Sequence, residues 1–302
     1  NTITVTDGEN DIDGGEGVDT ITAGNGNNTI DGGDGADVIV AGTGNNTFTN
    51  SAGNATITAG TGNNTVTNTA GNSTITLGNG TNTVNLTAGN STVVTGSGAD
   101  DINITAGNND ITTGAGNDTI SLGSGNDTVD AGTGTDTVDF SIDRGTWAGA
   151  ITDAETVTAT YTGSATIDAT SLTGYATLNV TASDSTATTT LKNIGDATIN
   201  LTDDSVEGGG DGDIEAMTID TTDDATITVN LGANQEAAIA VAADLASLTI
   251  TDAATVTLKA SGGGFGNLLS SDMETVTLDD EETTALTIES SDYTNLEATI
   301  AG

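Results

Sequence analysis

Two stretches of the same design, Gly14-Gly-Glu-Gly-Val-Asp-Thr-Ile-Thr22 and Gly32-Gly-Asp-Gly-Ala-Asp-Val-Ile-Val40, decide how this chain folds. Counting outward from them in steps of nine, every slot from Gly8 to Gly134 holds glycine. A second series with the same step holds only aliphatic or aromatic residues: Ile3, Ile12, Ile21, Ile30, Ile39, Phe48, Ile57, Val66, Ile75, Val84, Val93, Ile102, Ile111, Ile120, Val129 and Val138. No insertion or deletion breaks the phase, so these residues form one internal repeat.

The nonapeptide predicts a short strand followed by a tight turn. The apolar residue of the strand is buried while its two neighbours point outward, and the glycines allow the chain to reverse. Two nonapeptides make one coil, and successive coils stack as parallel strands that bond to one another. We therefore expect an all-β protein, a right-handed parallel β-roll or β-helix (β-solenoid) throughout.

The two quoted stretches match the repeats-in-toxin (RTX) consensus G-G-x-G-x-D-x-U-x. Near matches follow at Gly114-Ala-Gly-Asn-Asp118, Gly123-Ser-Gly-Asn-Asp127 and Gly132-Thr-Gly-Thr-Asp136. Residues 1–140 thus resemble RTX proteins, and this resemblance implies a secreted protein with a calcium-binding β-roll.

The aspartates of the repeat are the candidate calcium ligands. Calcium takes six to eight oxygen ligands, and turns on the same edge of the roll are eighteen residues apart. Asp19 and Asp37 pair on one edge, while Asp100, Asp118 and Asp136 form two possible sites on the other. Asp127 has no aspartate partner, because Asn109 occupies the matching slot. Turn carbonyls complete the sites, and the candidates are Gly15, Gly17, Gly33, Gly35, Gly114, Gly116, Gly132 and Gly134.

The middle of the roll departs from the consensus. On one edge the aspartate slot reads Asn28, Asn46, Asn64 and Asn82, and on the other the turns carry Ala55, Ser73, Ser91 and Asn109. A neutral amide cannot offset a divalent charge, so we expect metal-poor turns held by stacked asparagines, Asn54, Asn72, Asn90 and Asn108 among them. Calcium should cluster at the two ends of the roll.

The composition agrees with a cation as the counter-charge. The chain has 44 acidic and 3 basic residues, a formal net charge of −41, and no Cys or His. Such a chain repels itself unless cations neutralise it. Nucleic acid is not expected as a partner, because phosphate recognition needs Lys and Arg. Insertion into a membrane is not expected either, because the sequence has no apolar run long enough to span one. Zinc and copper sites lack their usual ligands, whereas oxygen-rich sites favour Ca²⁺.

The second half follows a longer and looser pattern. A junction or cap at residues 141–153 contains Arg144 and Trp147, and residues 154–302 alternate threonine with aliphatic residues, which predicts strands of a wider parallel β-solenoid. Acidic clusters in its loops are either solvated surface or further metal sites: Asp203-Asp204, Asp211-Gly-Asp213, Asp223-Asp224 and Asp279-Asp-Glu-Glu282.

An RTX roll joined to threonine-rich solenoid repeats resembles the surface-layer (S-layer) proteins of alphaproteobacteria and related matrix proteins. The resemblance implies type I secretion, folding outside the cell on calcium binding, and self-assembly into a lattice or filament at the cell surface. A cell-surface polysaccharide is a further candidate partner. The chain starts without Met and stops after a strand-like segment, so we expect a piece of a longer protein.

Three other functions are open. A polysaccharide-acting enzyme is disfavoured, because Arg144, Lys192 and Lys259 are scattered and a serine triad lacks its histidine. An RTX adhesin stalk would share the same repeats but remain as isolated rods. Ice binding would use outward threonine pairs, which recur at Thr47-Phe-Thr49, Thr65-Val-Thr67, Thr56-Ile-Thr58 and Thr74-Ile-Thr76.

Overall fold

The fold is that of a computed structural model, which describes residues 1–142, 145–182, 187–203, 214–231, 247–260, 275–279, 285–289 and 298–301. It confirms an all-β protein in which parallel strands form a β-solenoid. The chain divides into two compact units, one of residues 1–140 with 148–155 and one of residues 141–147 with 156–302. The first unit contains the nonapeptides.

Consecutive nonapeptides alternate between two parallel sheets. Strands of sheet 1 are Thr2–Thr4, Thr20–Ala23, Val38–Ala41, Thr56–Ala59, Thr74–Leu77, Thr92–Val94, Asp110–Thr112, Thr128–Asp130 and Ala150–Thr152. Strands of sheet 2 are Asp11–Asp13, Thr29–Asp31, Thr47–Asn50, Thr65–Asn68, Thr83–Leu86, Asp101–Ala106, Thr119–Ser124 and Thr137–Ile142. Within the nonapeptides each residue pairs with the residue eighteen positions later, as Ile57 does with Ile75 in sheet 1 and Phe48 with Val66 in sheet 2. At the end of sheet 1 the interval is 22 residues, from Val129 to Ile151.

The repeated apolar residues form the core between the two sheets. All slots from Ile12 to Val138 are buried, and Ile3 at the first coil is half-buried. A second inward column lies two residues further along each strand. In sheet 2 this column begins with Gly14 and Gly32, continues with buried Asn50 and Asn68, and becomes apolar afterwards at Leu86, Ile104, Leu122 and Phe140.

Glycine in the turns is required by the close stacking of the coils. Gly35 has a φ of 155°, and a Cβ atom on it would overlap the carbonyl oxygen of Gly17 in the preceding coil. The same overlap recurs between Gly33 and Gly15 and between Gly134 and Gly116. A side chain at these positions would push successive turns apart, and the ladder bonds between coils would be lost.

The second unit is also built from parallel strands, with a longer repeat. Its strands are Gly145–Thr146, Thr156–Tyr161, Ala165–Asp168, Leu172–Thr173, Thr177–Ala182, Ala187–Ile194, Ala197–Asp203, Ile214–Leu231, Ser247–Ala260, Thr275–Asp279, Ala285–Glu289 and Ala298–Ala301, with a 3₁₀ turn at Ala169–Ser171. Leu178 pairs with Val157 and with Ile199, a spacing of 21 residues. Between Ile199 and Val229 the spacing widens to 30 residues.

Candidate metal sites

The aspartates of the repeat lie in two columns, one along each edge of the roll. In each column the backbone N–H of one slot donates to the side chain of the slot in the next coil. Asp19 donates in this way to Oδ1 of Asp37 at 2.8 Å. On the other edge, Asp100 donates to Oδ1 of Asp118 at 2.7 Å, and Asp118 donates to Oδ1 of Asp136 at 2.8 Å. The structure therefore brings together the carboxylates that the spacing pairs.

The second oxygen of these carboxylates has no donor. The side chains of all five residues are 2% exposed or less. Oδ2 is buried without a hydrogen-bond partner in Asp19, Asp37, Asp100, Asp118 and Asp136. Thr95 lies beside Asp100, but its hydroxyl donates to the carbonyl of Thr113 at 2.8 Å. A buried carboxylate oxygen without a partner is costly, so these atoms fit ligands of a cation.

Burial also perturbs the ionisation of these carboxylates. Desolvation raises the pKa of Asp37, Asp100 and Asp136 above the ordinary value of 3.8. Charge repulsion between stacked carboxylates adds to this, since Asp118 raises the pKa of both Asp100 and Asp136. A divalent cation between the turns would remove both penalties by supplying opposite charge where water cannot reach.

The glycine that borders the space beside Asp19 Oδ2 is Gly14, with the carbonyl of Gly32, and neither is among the glycines predicted as carbonyl ligands. A Cβ built on Gly14 would lie 2.8 Å from the Gly32 carbonyl oxygen and 3.0 Å from Asp19 Oδ2, so both oxygens face one point. The carbonyl of Gly15 already accepts from Asp34 N at 3.1 Å and that of Gly114 from Thr133 N at 2.8 Å. Within the described residues, no three acidic side chains converge on one point. A calcium ion here would take most of its ligands from carbonyls.

In the asparagine slots, the side-chain amide nitrogen takes the place that a calcium ion would occupy between aspartates. Nδ2 of Asn64 donates to the carbonyls of Gly60 at 3.2 Å and Gly62 at 2.9 Å, and to Oδ1 of Asn82 at 3.1 Å. Asn28, Asn46 and Asn82 repeat this arrangement in their own turns. A nitrogen with two protons thus satisfies oxygens of its own turn and of the next slot. This arrangement gives a physical reason for the prediction that these turns are metal-poor, which stays a prediction.

The exposed asparagine ladder that the sequence suggests is also present. The backbone N–H of Asn72 donates to Oδ1 of Asn54 at 2.8 Å, and Asn90 donates to Asn72 at 2.7 Å. Asn108 continues the series by donating to Asn90 at 2.8 Å. The ladder lies on the surface, outside the buried slots, and it ties successive turns without any charge.

Asp127 differs from the other five aspartates in its second carboxylate oxygen, whereas its Oδ1 is bonded as that of Asp100 is, to an asparagine of the preceding coil. Its Oδ1 accepts from both the backbone N–H and the side-chain Nδ2 of Asn109, each at 2.8 Å. Burial raises its pKa, and these hydrogen bonds from Asn109 lower it. Oδ2 of Asp127 is not among the buried oxygens that lack a partner. Its position therefore agrees with a carboxylate that has an amide, and not a second carboxylate, in the preceding coil.

Glu155 occupies an aspartate slot that the spacing of eighteen does not find. Its Oε2 accepts from the backbone N–H of Asp136 at 2.7 Å, and its charge contributes to the raised pKa of Asp136. The interval is nineteen residues, because the chain is one residue longer between the two slots. The column of Asp100, Asp118 and Asp136 thus continues into a fourth carboxylate.

These stacked coils, with buried carboxylates at the turns, define a calcium-binding β-roll. The family model of the RTX calcium-binding nonapeptide repeat matches the chain in overlapping stretches at residues 1–30, 13–48, 40–75, 49–83, 58–93, 76–103 and 104–138. The first 138 residues therefore consist of RTX calcium-binding nonapeptide repeats, which bind several calcium ions and are typical of secreted extracellular proteins. No curated protein and no solved structure matches the chain.

Of the three basic residues considered for catalysis, Lys192 is the one whose side chain the structure describes. Lys192 is exposed and lies in register with Asp168 of the neighbouring strand, whose pKa is lowered mainly by a hydrogen bond from Asn193. Arg144 lies outside the described residues, as do the acidic residues Asp204, Asp211, Asp213 and Asp280-Glu-Glu282. Trp147 is 4% exposed, which agrees with a packing role. None of the helices described is long and apolar enough to cross a membrane.

Proposed function

We propose that this chain is a structural protein of a calcium-dependent extracellular layer, an S-layer or a matrix fibre. In this proposal it folds and self-assembles when it meets calcium after type I secretion. The observation that carries the proposal is the set of five buried aspartate oxygens without donors. Because the unfolded chain holds no such sites, the free energy of calcium binding becomes free energy of folding.

The charge of the chain supports the same role. A net charge of −41 keeps the calcium-free chain extended and soluble during export, since like charges oppose a compact state. Millimolar calcium outside the cell then neutralises the carboxylates that stack along the roll. RTX β-rolls are typically structural and not enzymatic, so assembly is the function that the described residues support best.

Electron microscopy of the purified protein with and without calcium tests the proposal. Ordered sheets or fibres that form in calcium and disappear in chelator are expected. Isolated rods in calcium would contradict assembly and favour an adhesin stalk. Turnover of a polysaccharide that is abolished by Lys192→Ala or Arg144→Ala would overturn the structural role altogether.

One observation favours ice binding as a second candidate. The outward residues of sheet 1 are threonine or valine in six consecutive coils, from Thr2 and Thr4 to Thr92 and Val94. Val38 and Val40, which are 41% and 39% exposed, fill the gap between the threonine pairs with side chains of the same shape. Thermal hysteresis in calcium that falls on Thr56→Lys would support this candidate, and its absence would remove it.

A further inference from the structure

The geometry points to a calcium site of mixed type between the turn at Gly32–Asp37 and the strand end at Asn50. In this site the side-chain amide oxygen of Asn50 takes the place of a second carboxylate. The site lies one coil beyond the pair formed by Asp19 and Asp37, where the next slot in the column is Ala55. The RTX consensus has glycine at the position of Asn50 and does not predict a ligand there.

Two buried oxygens without donors face each other at this place. Asn50 Oδ1 and Asp37 Oδ2 are both buried and have no hydrogen-bond partner. A Cβ built on Gly32 would lie 2.6 Å from the first and 3.0 Å from the second, so both oxygens border the same small space. Two acceptors that share a buried space without a donor are unfavourable, and a hard cation removes the conflict.

The orientation of the Asn50 amide is set by its nitrogen. Nδ2 donates to the carbonyl of Ala52 at 3.2 Å and to Oδ1 of Asn68 at 3.0 Å. If the amide were turned over, its oxygen would face these two acceptors, and both hydrogen bonds would be lost. Asn68 cannot compensate by turning as well, because its own Nδ2 donates to the carbonyl of Ala70 at 3.2 Å. The two asparagines therefore hold the Asn50 oxygen towards Asp37.

The charge around the space suits a divalent cation. Asp37 supplies one carboxylate, and Asp31, whose Oδ1 accepts from Gly33 N at 3.0 Å, adds a second negative charge nearby. Asp37 would then be shared between two ions, one on each side of its turn, as Asp118 is on the other edge. The remaining ligands would be turn carbonyls and water, which calcium accepts readily.

Asn54 offers a control for the test. It lies in the turn that follows Asn50 and is exposed, and its Oδ1 accepts from the backbone N–H of Asn72 at 2.8 Å, outside the buried slots. Native mass spectrometry of the full chain in calcium would count the bound ions. Asn50→Ala is expected to bind one ion fewer than the unmodified protein, and Asn54→Ala the same number.

A second variant protects the test against a failure to fold. Asn50→Asp keeps the shape of the side chain and adds a carboxylate, so isothermal titration with calcium should show one site strengthened by roughly tenfold or more. An unchanged ion count in Asn50→Ala, or unchanged affinities in Asn50→Asp, would overturn the mixed site.

The inference depends on calcium binding by the roll, and Asp118→Ala separates the two claims. If Asp118→Ala loses ions while the Asn50 variants change nothing, only the mixed site fails. If Asp118→Ala also leaves the ion count unchanged, the metal sites of the roll and the proposed calcium-dependent folding both fail.

Discussion

Exchanging one side-chain nitrogen for oxygen in the middle of the roll should create a calcium requirement in a turn that we predict to be metal-poor. In Asn64→Asp the side chain keeps its size but loses the Nδ2 atom that serves Gly60, Gly62 and Asn82. Two N–H donors worth about 0.5–1.5 kcal/mol each disappear, and a buried oxygen without a partner costs about 1–3 kcal/mol. We expect the free energy of unfolding in chelator to fall by about 2–6 kcal/mol.

Asn63→Asp is the matched control for this prediction, because it introduces the same charge next to the same turn. The side chain of Asn63 is exposed, and of its polar atoms the structure uses only Oδ1, which accepts from the backbone N–H of Thr81 at 2.9 Å. Aspartate keeps this oxygen. The change in stability should stay within about 0.5 kcal/mol, as for most surface substitutions. Denaturant titration followed by β circular dichroism, in chelator and in millimolar calcium, measures both variants.

Calcium should restore part of the stability of Asn64→Asp and leave Asn63→Asp unaffected, since a ligand that binds only the folded state stabilises it. Equal losses in the two variants would refute the reasoning, because the loss would then follow charge and not the missing nitrogen. A stable Asn64→Asp in chelator would refute it as well.

Other predictions concern the ends of the roll and its response to acid. Chelation should lower the β signal and remove hydrogen-exchange protection around Asp19–Asp37 and Asp100–Asp136, while amides near Asn46–Asn82 stay protected; uniform protection in excess chelator would contradict this. Asp118→Ala should weaken calcium affinity more than Asp127→Ala, because Asp118 has carboxylates in both adjacent coils; equal titration curves would argue against the pairing. For the calcium-free chain, the raised pKa of Asp37, Asp100 and Asp136 means that the folded state prefers their protonated forms. The contribution of these three residues to folding stability should therefore be greatest when the pH is below 3.8, the ordinary pKa of aspartate, and should decline as the pH rises through the raised pKa values. Melting temperatures measured in chelator that rise towards neutral pH would disprove this prediction.

The coil could be predicted from the sequence because each nonapeptide contains the residues that determine its own strand and turn. Apolar slots such as Ile57 and glycines such as Gly35 act within one or two coils, so their spacing alone sets the register and the core. The exposed ladder of Asn54 and Asn72 was predictable for the same reason, since it follows the same phase. Which carboxylates hold calcium stays a prediction of the spacing, to which the structure adds the buried oxygens without donors.

Two features were not predictable from the nonapeptide pattern. Glu155 was hidden because a single extra residue puts it out of phase, and only the hydrogen bond from Asp136 shows that it fills the slot. Asn50 was not predicted as a ligand because the consensus has glycine, which has no side chain, at this position two residues after the apolar slot. The proposed role of Asn50 as a calcium ligand depends on residues of three coils, because Asp37 lies in the preceding coil and Asn68 in the following one.

The hydrogen bonds between the slots all run one way along the roll. From Asn10 to Asp136, the main-chain N–H of a slot donates to the side-chain oxygen of the slot that follows it in the chain. A roll shortened from the Glu155 side would leave a slot N–H without its acceptor, whereas one shortened from the other side would leave a slot oxygen without its donor. The two kinds of deletion therefore remove different hydrogen-bonding partners. The hydrogen bonds of each column therefore have a single direction, and the two ends of the column are not equivalent.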